Sequence, residues 1–164
     1  MTTNLSDKEL DQVYESGSRR FMNEQDRIGL PRLVEDIKLN KKYQLTRPQN
    51  SEWDTERKSH LIESITFNIP VAPIILFVTG DNVYDVIDGN QRLRAIVDFY
   101  SNKFELTGMK NYPELNGYNY RSLPSKIRNG LDWRRLSLVI ISQQENSQLT
   151  DEQAKQLIRK RYEV

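Results

Sequence analysis

The run Pro73-Ile74-Ile75-Leu76-Phe77-Val78 constrains the fold more than any other segment of the chain. A continuous apolar stretch of this length, bounded by proline and by Gly80, predicts a strand buried on both faces, because a half-exposed strand would alternate. Thr79-Gly80-Asp81-Asn82 then supplies turn residues, and Val83–Ile87 supplies a second strand, so the two are expected to pair as a hairpin. After Asp88-Gly89 the period changes. Leu93, Ile96, Val97 and Tyr100 mark one face of a helix that runs to about Ser101.

Helices are expected around this hairpin. Leu30, Leu33, Val34 and Ile37 recur at helical spacing with Pro31 in the first turn. Asp54 is placed to cap a helix whose buried side carries Trp53, Leu61, Ile62 and Ile65, and which Asn68 and Pro70 stop. Phe104-Glu105-Leu106 reads as a short strand, residues 108–122 as a loop, Pro124–Leu131 as one or two helical turns, and Leu136–Ser142 as a strong strand. Ser6–Glu9 and Thr150–Gln153 fit capping boxes. The second opens a terminal helix with Ala154, Leu157 and Ile158 facing inward. These elements predict an α+β fold, a small mixed β-sheet flanked by helices. Residues 1–27 form a polar N-terminal arm or loosely docked helix, 28–145 the main domain, and 146–164 the C-terminal helix.

Composition excludes several chemistries. The chain has no cysteine, hence no disulfide, no thiolate zinc site and no cysteine nucleophile. One histidine excludes a multi-histidine metal site. Lys and Arg total 24 against 23 Asp and Glu, so contact with nucleic acid would need a local basic patch. No apolar run approaches the ~20 residues of a bilayer span, and the N-terminus lacks the pattern of a signal peptide. A cytoplasmic protein without membrane contact is expected.

Chemistry concentrates at Asp88-Gly89-Asn90-Gln91-Arg92, between strand and helix. The first N–H groups of a helix have no intrahelical partner and the macrodipole adds roughly +0.5 charge there, so an anion is stabilised at that point. Gly89 permits close backbone approach, and Arg92 offers a planar fork suited to two phosphate oxygens. Asp88 either caps the helix or holds a divalent cation that bridges phosphates. A plainer reading stands beside this one: Asp88 and Gln91 also fit a capping box, with Arg92 in a surface ion pair.

The wider string Tyr84-Asp85-Val86-Ile87-Asp88-Gly89-Asn90-Gln91-Arg92-Leu93-Arg94-Ala95-Ile96 resembles the signature of the GmrSD-type N-terminal domain family, marked by an Asp-Gly-Gln-Gln-Arg motif and related to the ParB/sulfiredoxin superfamily. Trp53-Asp54, Leu61–Ile65, Asn68–Ile74, Phe99-Tyr100, Phe104–Leu106, Leu115-Asn116-Gly117 with Tyr120, and the Leu136–Ile141 strand match it in order, over roughly residues 28–145. The resemblance implies a ParB/sulfiredoxin-like fold and a bacterial protein that binds, and often hydrolyses, a nucleoside triphosphate with Mg2+, within a system that restricts modified or foreign DNA. It implies catalytic roles for Asp88, Gln91 and Arg92, nucleotide contacts from Gly89, Asn90, Arg94 and Arg47, and a metal at Asp88 with Glu63 as a further candidate. Asn90 stands where Gln is usual, and Arg94 where a small hydroxyl residue is usual. The basic residue expected shortly before Trp53-Asp54 is absent unless Arg47 reaches the same place. Family members usually continue into a helical domain, and many end in an HNH nuclease. This chain carries no nuclease motif, so nuclease activity is not expected of it alone. Its implied partners are the nucleotide, DNA, and a separate helical or HNH nuclease protein or a second copy of itself. The alternative is a non-catalytic module that senses nucleotide or binds a partner.

The remaining candidates favour structural roles. His60 reads as a polar or capping residue, and Trp53 as a core anchor rather than a stacking platform. Tyr112, Tyr118 and Tyr120 read as loop packing. Glu63 is either a solvated carboxylate or a group that orients Arg92 or a metal-bound water. Arg134-Arg135 and Arg159-Lys160-Arg161 are short basic clusters of the kind that usually lie on solvated faces, though each would suit a phosphate backbone.

Overall fold

The computed structural model describes residues 4–46, 52–145 and 147–162. The hairpin is present: β3 (Ile74–Gly80) and β4 (Val83–Asp88) pair antiparallel, with Asn82 taking the left-handed backbone of the turn at φ 55°. β3 lies at the centre of a five-stranded mixed sheet, and its first four residues are buried. On one side it pairs in parallel with β5 (Arg135–Gln143), which in turn pairs antiparallel with β1 (Phe21–Gly29). On the other side β4 pairs in parallel with the two-residue β2 (Tyr43–Gln44). The strand order is β1-β5-β3-β4-β2.

Two clusters of apolar side chains cover the two faces. The larger one joins Ile74, Leu76, Leu136 and Leu138 of the sheet to Leu30 and Leu33 of α2 (Leu30–Lys38), Ile62 of α3 (Thr55–Thr66), Leu93, Ile96 and Phe99 of α4 (Asn90–Tyr100) and Leu131 of α5 (Ser125–Asp132). The smaller one sets Ala154 and Ile158 of α6 (Asp151–Arg159) on Ile75, Phe77, Ile87 and Ile141. A 2.7 Å ion pair from Lys155 Nζ to Asp85 on β4 fixes α6 there. The architecture is therefore α+β, a mixed sheet flanked by helices, as the element pattern predicts. Among the described residues no helix is long and apolar enough to cross a membrane.

The caps form as read. Ser6 and Thr150 make capping boxes with Glu9 and Gln153, and Asp54 accepts the N–H of Arg57 at 2.8 Å. Other expectations need correction. The N-terminal helix α1 (Asp7–Ser18) buries none of its residues, but the following residues 21–29 form an edge strand, so the boundary expected at residue 28 falls inside β1. Phe104-Glu105-Leu106 is not a strand. Leu106 alone exchanges backbone hydrogen bonds with Gly117 and Tyr118, and one such exchange extends no ladder. Leu157 is 41% exposed, because the buried stripe of α6 is the i, i+4 pair Ala154 and Ile158.

The loop between α4 and α5 is held by polar side chains. Tyr100 and Tyr120 both donate to Asp132, at 2.7 Å and 3.0 Å, while their rings stack at 4.4 Å. Burial, reinforced by the bond to Asp132, pushes the Tyr120 phenol up to about 12 and Tyr100 further in the same direction. Burial likewise pushes Tyr43 up to about 12. Free tyrosine titrates near pH ~10. A pKa raised by folding contributes stability that is complete below the unfolded value and is lost as pH rises through the folded one. Stability should therefore hold to about pH 10 and decline toward pH 12 as Tyr43 and Tyr120 ionise. Thermal melts alongside tyrosinate absorbance would show this, and a midpoint flat across that interval would contradict it.

Phe99 is fully buried whereas Val13 on α1 is 60% exposed. Phe99→Ala should cost about 3–5 kcal/mol in urea unfolding, and Val13→Ala less than about 0.5 kcal/mol.

Candidate functional site: the turn into helix α4

β4 ends at Asp88, and α4 begins at Asn90 with Gly89 as its N-cap. Gly89 has φ 113°, a left-handed conformation that side chains rarely adopt. A Cβ placed there would collide with Ile74 Cδ1, inside the core-facing wall of β3. Among the described residues no side chain caps α4. The capping-box alternative for Asp88 and Gln91 is thus not adopted, and the first N–H groups of the helix are left without a side-chain acceptor. They border an open depression of about 290 Å³ lined by Trp53, Ile87 and all five residues from Asp88 to Arg92.

The motif side chains mostly point to backbone. The Arg92 guanidinium donates through Nη1 to the carbonyls of Ala72 and Pro73, and through Nη2 to Asp88 Oδ2 at 3.0 Å. It is a clamp under the turn rather than a fork extended into the depression. Burial pulls its pKa down, and the Asp88 carboxylate works against that shift. Asp88 is 39% exposed along its side chain, and its Oδ1 has no partner among the described residues. Asn90 Oδ1 accepts the N–H of Thr46 at 2.9 Å, and Arg94, one turn on, donates to the Thr46 carbonyl at 2.6 Å. Gln91 Oε1 accepts the N–H of Trp53 at 3.4 Å. The chain is thus held against α4 on both sides of residues 47–51. Arg47 itself lies outside the described residues.

The other candidates separate from this cluster. α3 and α4 run side by side in the same direction, with Trp53 beside Gln91 and a 2.9 Å ion pair between Lys58 and Asp98. Glu63 is ten residues beyond Trp53, about 15 Å along the helix. It is buried rather than solvated, and its Oε1 accepts from Asn111 at 3.5 Å while Oε2 has no partner. No bond links it to Arg92. His60 Nε2 meets the Gly108 carbonyl at 2.9 Å, which is the structural role expected of it. Tyr112 stacks on Phe67 at 3.5 Å, Tyr118 and Tyr120 pack on the main core, and none of the three lines the depression. Trp53 is half-buried against the core and also borders the depression, with Arg57 4.4 Å over its ring. Among the described residues no three acidic or histidine side chains gather as a ready-made metal site.

Residues 32–164 match the family model of the GmrSD restriction endonuclease N-terminal domain. The chain belongs to that family. The match includes the Asp88–Arg92 turn, α3 and all of the sheet except β1, which precedes it. Membership makes this GmrSD-type domain a component of restriction and defence systems. No protein of curated function matches it.

The left-handed Gly89 and its contact with Ile74 give a direct test. Gly89→Ala should cost about 2–4 kcal/mol in urea unfolding, from the backbone conformation and the overpacked wall together. A loss below about 0.5 kcal/mol would mean that the turn relaxes freely.

Proposed function

We propose that the Asp88–Arg92 turn binds the phosphates of a nucleoside triphosphate together with a divalent cation, and that the domain hydrolyses this ligand in the service of DNA restriction. One observation carries the reading. The N-terminus of an eleven-residue helix that no described side chain caps, a glycine that brings the backbone close and a carboxylate whose second oxygen has no partner among the described residues meet in a single open depression. In this reading the N–H groups of the first turn bind phosphate oxygens. Asp88 Oδ1 takes the cation, which the phosphates complete. Magnesium is commonly held by one or two carboxylates plus substrate phosphates, so Asp88 and the bound phosphates would serve it. Arg92 keeps Asp88 in place, and its charge beneath the turn adds to the helix dipole in stabilising negative charge that develops on the transferred group.

The inward engagement of Arg92 favours a second reading, nucleotide binding without turnover, in which the ligand acts as a switch. Calorimetry and phosphate release with magnesium separate the two. Because Arg92 also clamps the fold, Asp88→Asn is the cleaner probe. It keeps an acceptor for Arg92 and removes the charge. Asp88→Asn should weaken magnesium-dependent nucleotide binding at least about tenfold, roughly 1.4 kcal/mol, and lower the melting temperature without unfolding the chain, because Arg92 keeps an acceptor but loses its counter-charge. Phosphate release at the wild-type rate in that variant would reject the assignment. So would the absence of any nucleoside triphosphate binding by the wild-type chain.

A further inference from the structure

Among the described residues, the sheet face that carries α6 is covered at one end only. Beyond the contacts of Ala154 and Ile158, the same face opens into a depression of about 610 Å³ lined by Gln25, Arg27, Pro73, Arg135, Ser137 and Val139. The register explains this lining. Arg27 pairs with Ser137, and Arg135, Ser137 and Val139 alternate along β5, so all four point to one face. Arg27 and Arg135 are then diagonal neighbours, about 7–8 Å apart, both exposed, and neither makes an ion pair among the described residues. They also line a second depression, of about 260 Å³, together with Asn68 and Pro70. Asp26 borders the larger depression, but its register partner Leu138 faces the main core, and its Oδ1 accepts the N–H of Arg27 at 2.8 Å. Arg134 is committed elsewhere, to the Thr66 carbonyl at 3.0 Å.

Two residues before Arg135, at the same end of the sheet, Trp133 is 86% exposed. An indole that large in water, two residues along the chain from the exposed Arg135, is an unusual use of surface. It sets an aromatic stacking surface at the end of the sheet where two cations sit on neighbouring strands. A duplex keeps its bases stacked and would leave the indole idle, whereas an unpaired strand offers both phosphates and free base faces. We propose that this bare end of the sheet binds single-stranded nucleic acid, its phosphates on Arg27 and Arg135 and a base on Trp133. The surface adjoins the α4 turn through Pro73, which lines the depression and whose carbonyl accepts from Arg92. Its occupancy does not depend on the nucleotide reading. Arg27 also lies outside the span matched by the family model.

The test is fluorescence anisotropy of a labelled single-stranded oligodeoxynucleotide with the full chain, between about 50 and 200 mM salt. Arg27→Gln combined with Arg135→Gln should weaken binding at least tenfold and flatten the log–log salt slope by about 1.4, at roughly 0.7 per phosphate contact. Trp133→Ala should weaken binding about tenfold with the slope unchanged. All three side chains are exposed, so unfolding midpoints should stay at the wild-type value. Asp88→Asn should bind the oligonucleotide as wild type does, so loss of nucleotide binding and loss of strand binding are read separately. No binding by the wild-type chain, equal binding by all variants, tighter binding of the matching duplex, or retention of polyglutamate in preference to the oligonucleotide would each overturn the proposal.

Discussion

The guanidinium of Arg92 donates to the carbonyls of Ala72 and Pro73 and to the carboxylate of Asp88, and so joins the entry to β3, the exit from β4 and the first turn of α4. The side chain is largely buried, with only 12% of its surface exposed. Removing one partner from a buried charged group typically costs about 3–5 kcal/mol, because the others are left without a counterpart. The tight geometry around Gly89, with Ile74 close behind it, depends on this clamp. A substitution at Arg92 would therefore disturb both the packing of the hairpin against α4 and the shape of the depression.

A division of labour within the motif follows from that constraint. Its side chains serve mainly to hold backbone: Arg92 holds residues 72 and 73, Asn90 and Arg94 hold Thr46, and Gln91 holds Trp53. Its own backbone N–H groups border the depression, and among the described residues no side chain caps α4. Amides on a rigid helix end do not need to be ordered when a ligand arrives, which is the feature that the proposed phosphate binding would use. The same division of labour gives the substitution of Asn for the more usual Gln at position 90 a concrete meaning. The shorter amide reaches Thr46 and Val86 rather than projecting outward.

Much of the molecule was legible in order. The hairpin, α2, α3, α4 and the capping boxes all follow from periodicity and cap chemistry, and the turn at Asp88–Arg92 was recognisable as a strand-to-helix junction with a glycine at its apex. The edge strand β1 was not. Met22–Arg27 is polar and charged because an edge strand with one neighbour is held by its backbone ladder to β5, and charge protects its free side. Phe104 and Leu106 misled for the converse reason: their apolar side chains anchor a loop to the core without a strand partner. Glu63 looked like a helix-surface carboxylate, and only the packing of the 108–122 loop over α3 buries it beside Asn111.

The sequence by itself determined that β3 is buried on both faces, where helices begin, and that residues 88–92 form a strand-to-helix turn with a glycine at its apex, because local hydrogen bonding and apolar period act over a few residues. Tertiary structure decided where the side chains of that turn point. Arg92, a fork apparently made for phosphate, is turned inward, because the carbonyls of Ala72 and Pro73 arrive beneath it from a segment twenty residues earlier in the chain. It also set Arg27 from β1 beside Arg135 from β5, an arrangement that strand register creates and that no local pattern encodes.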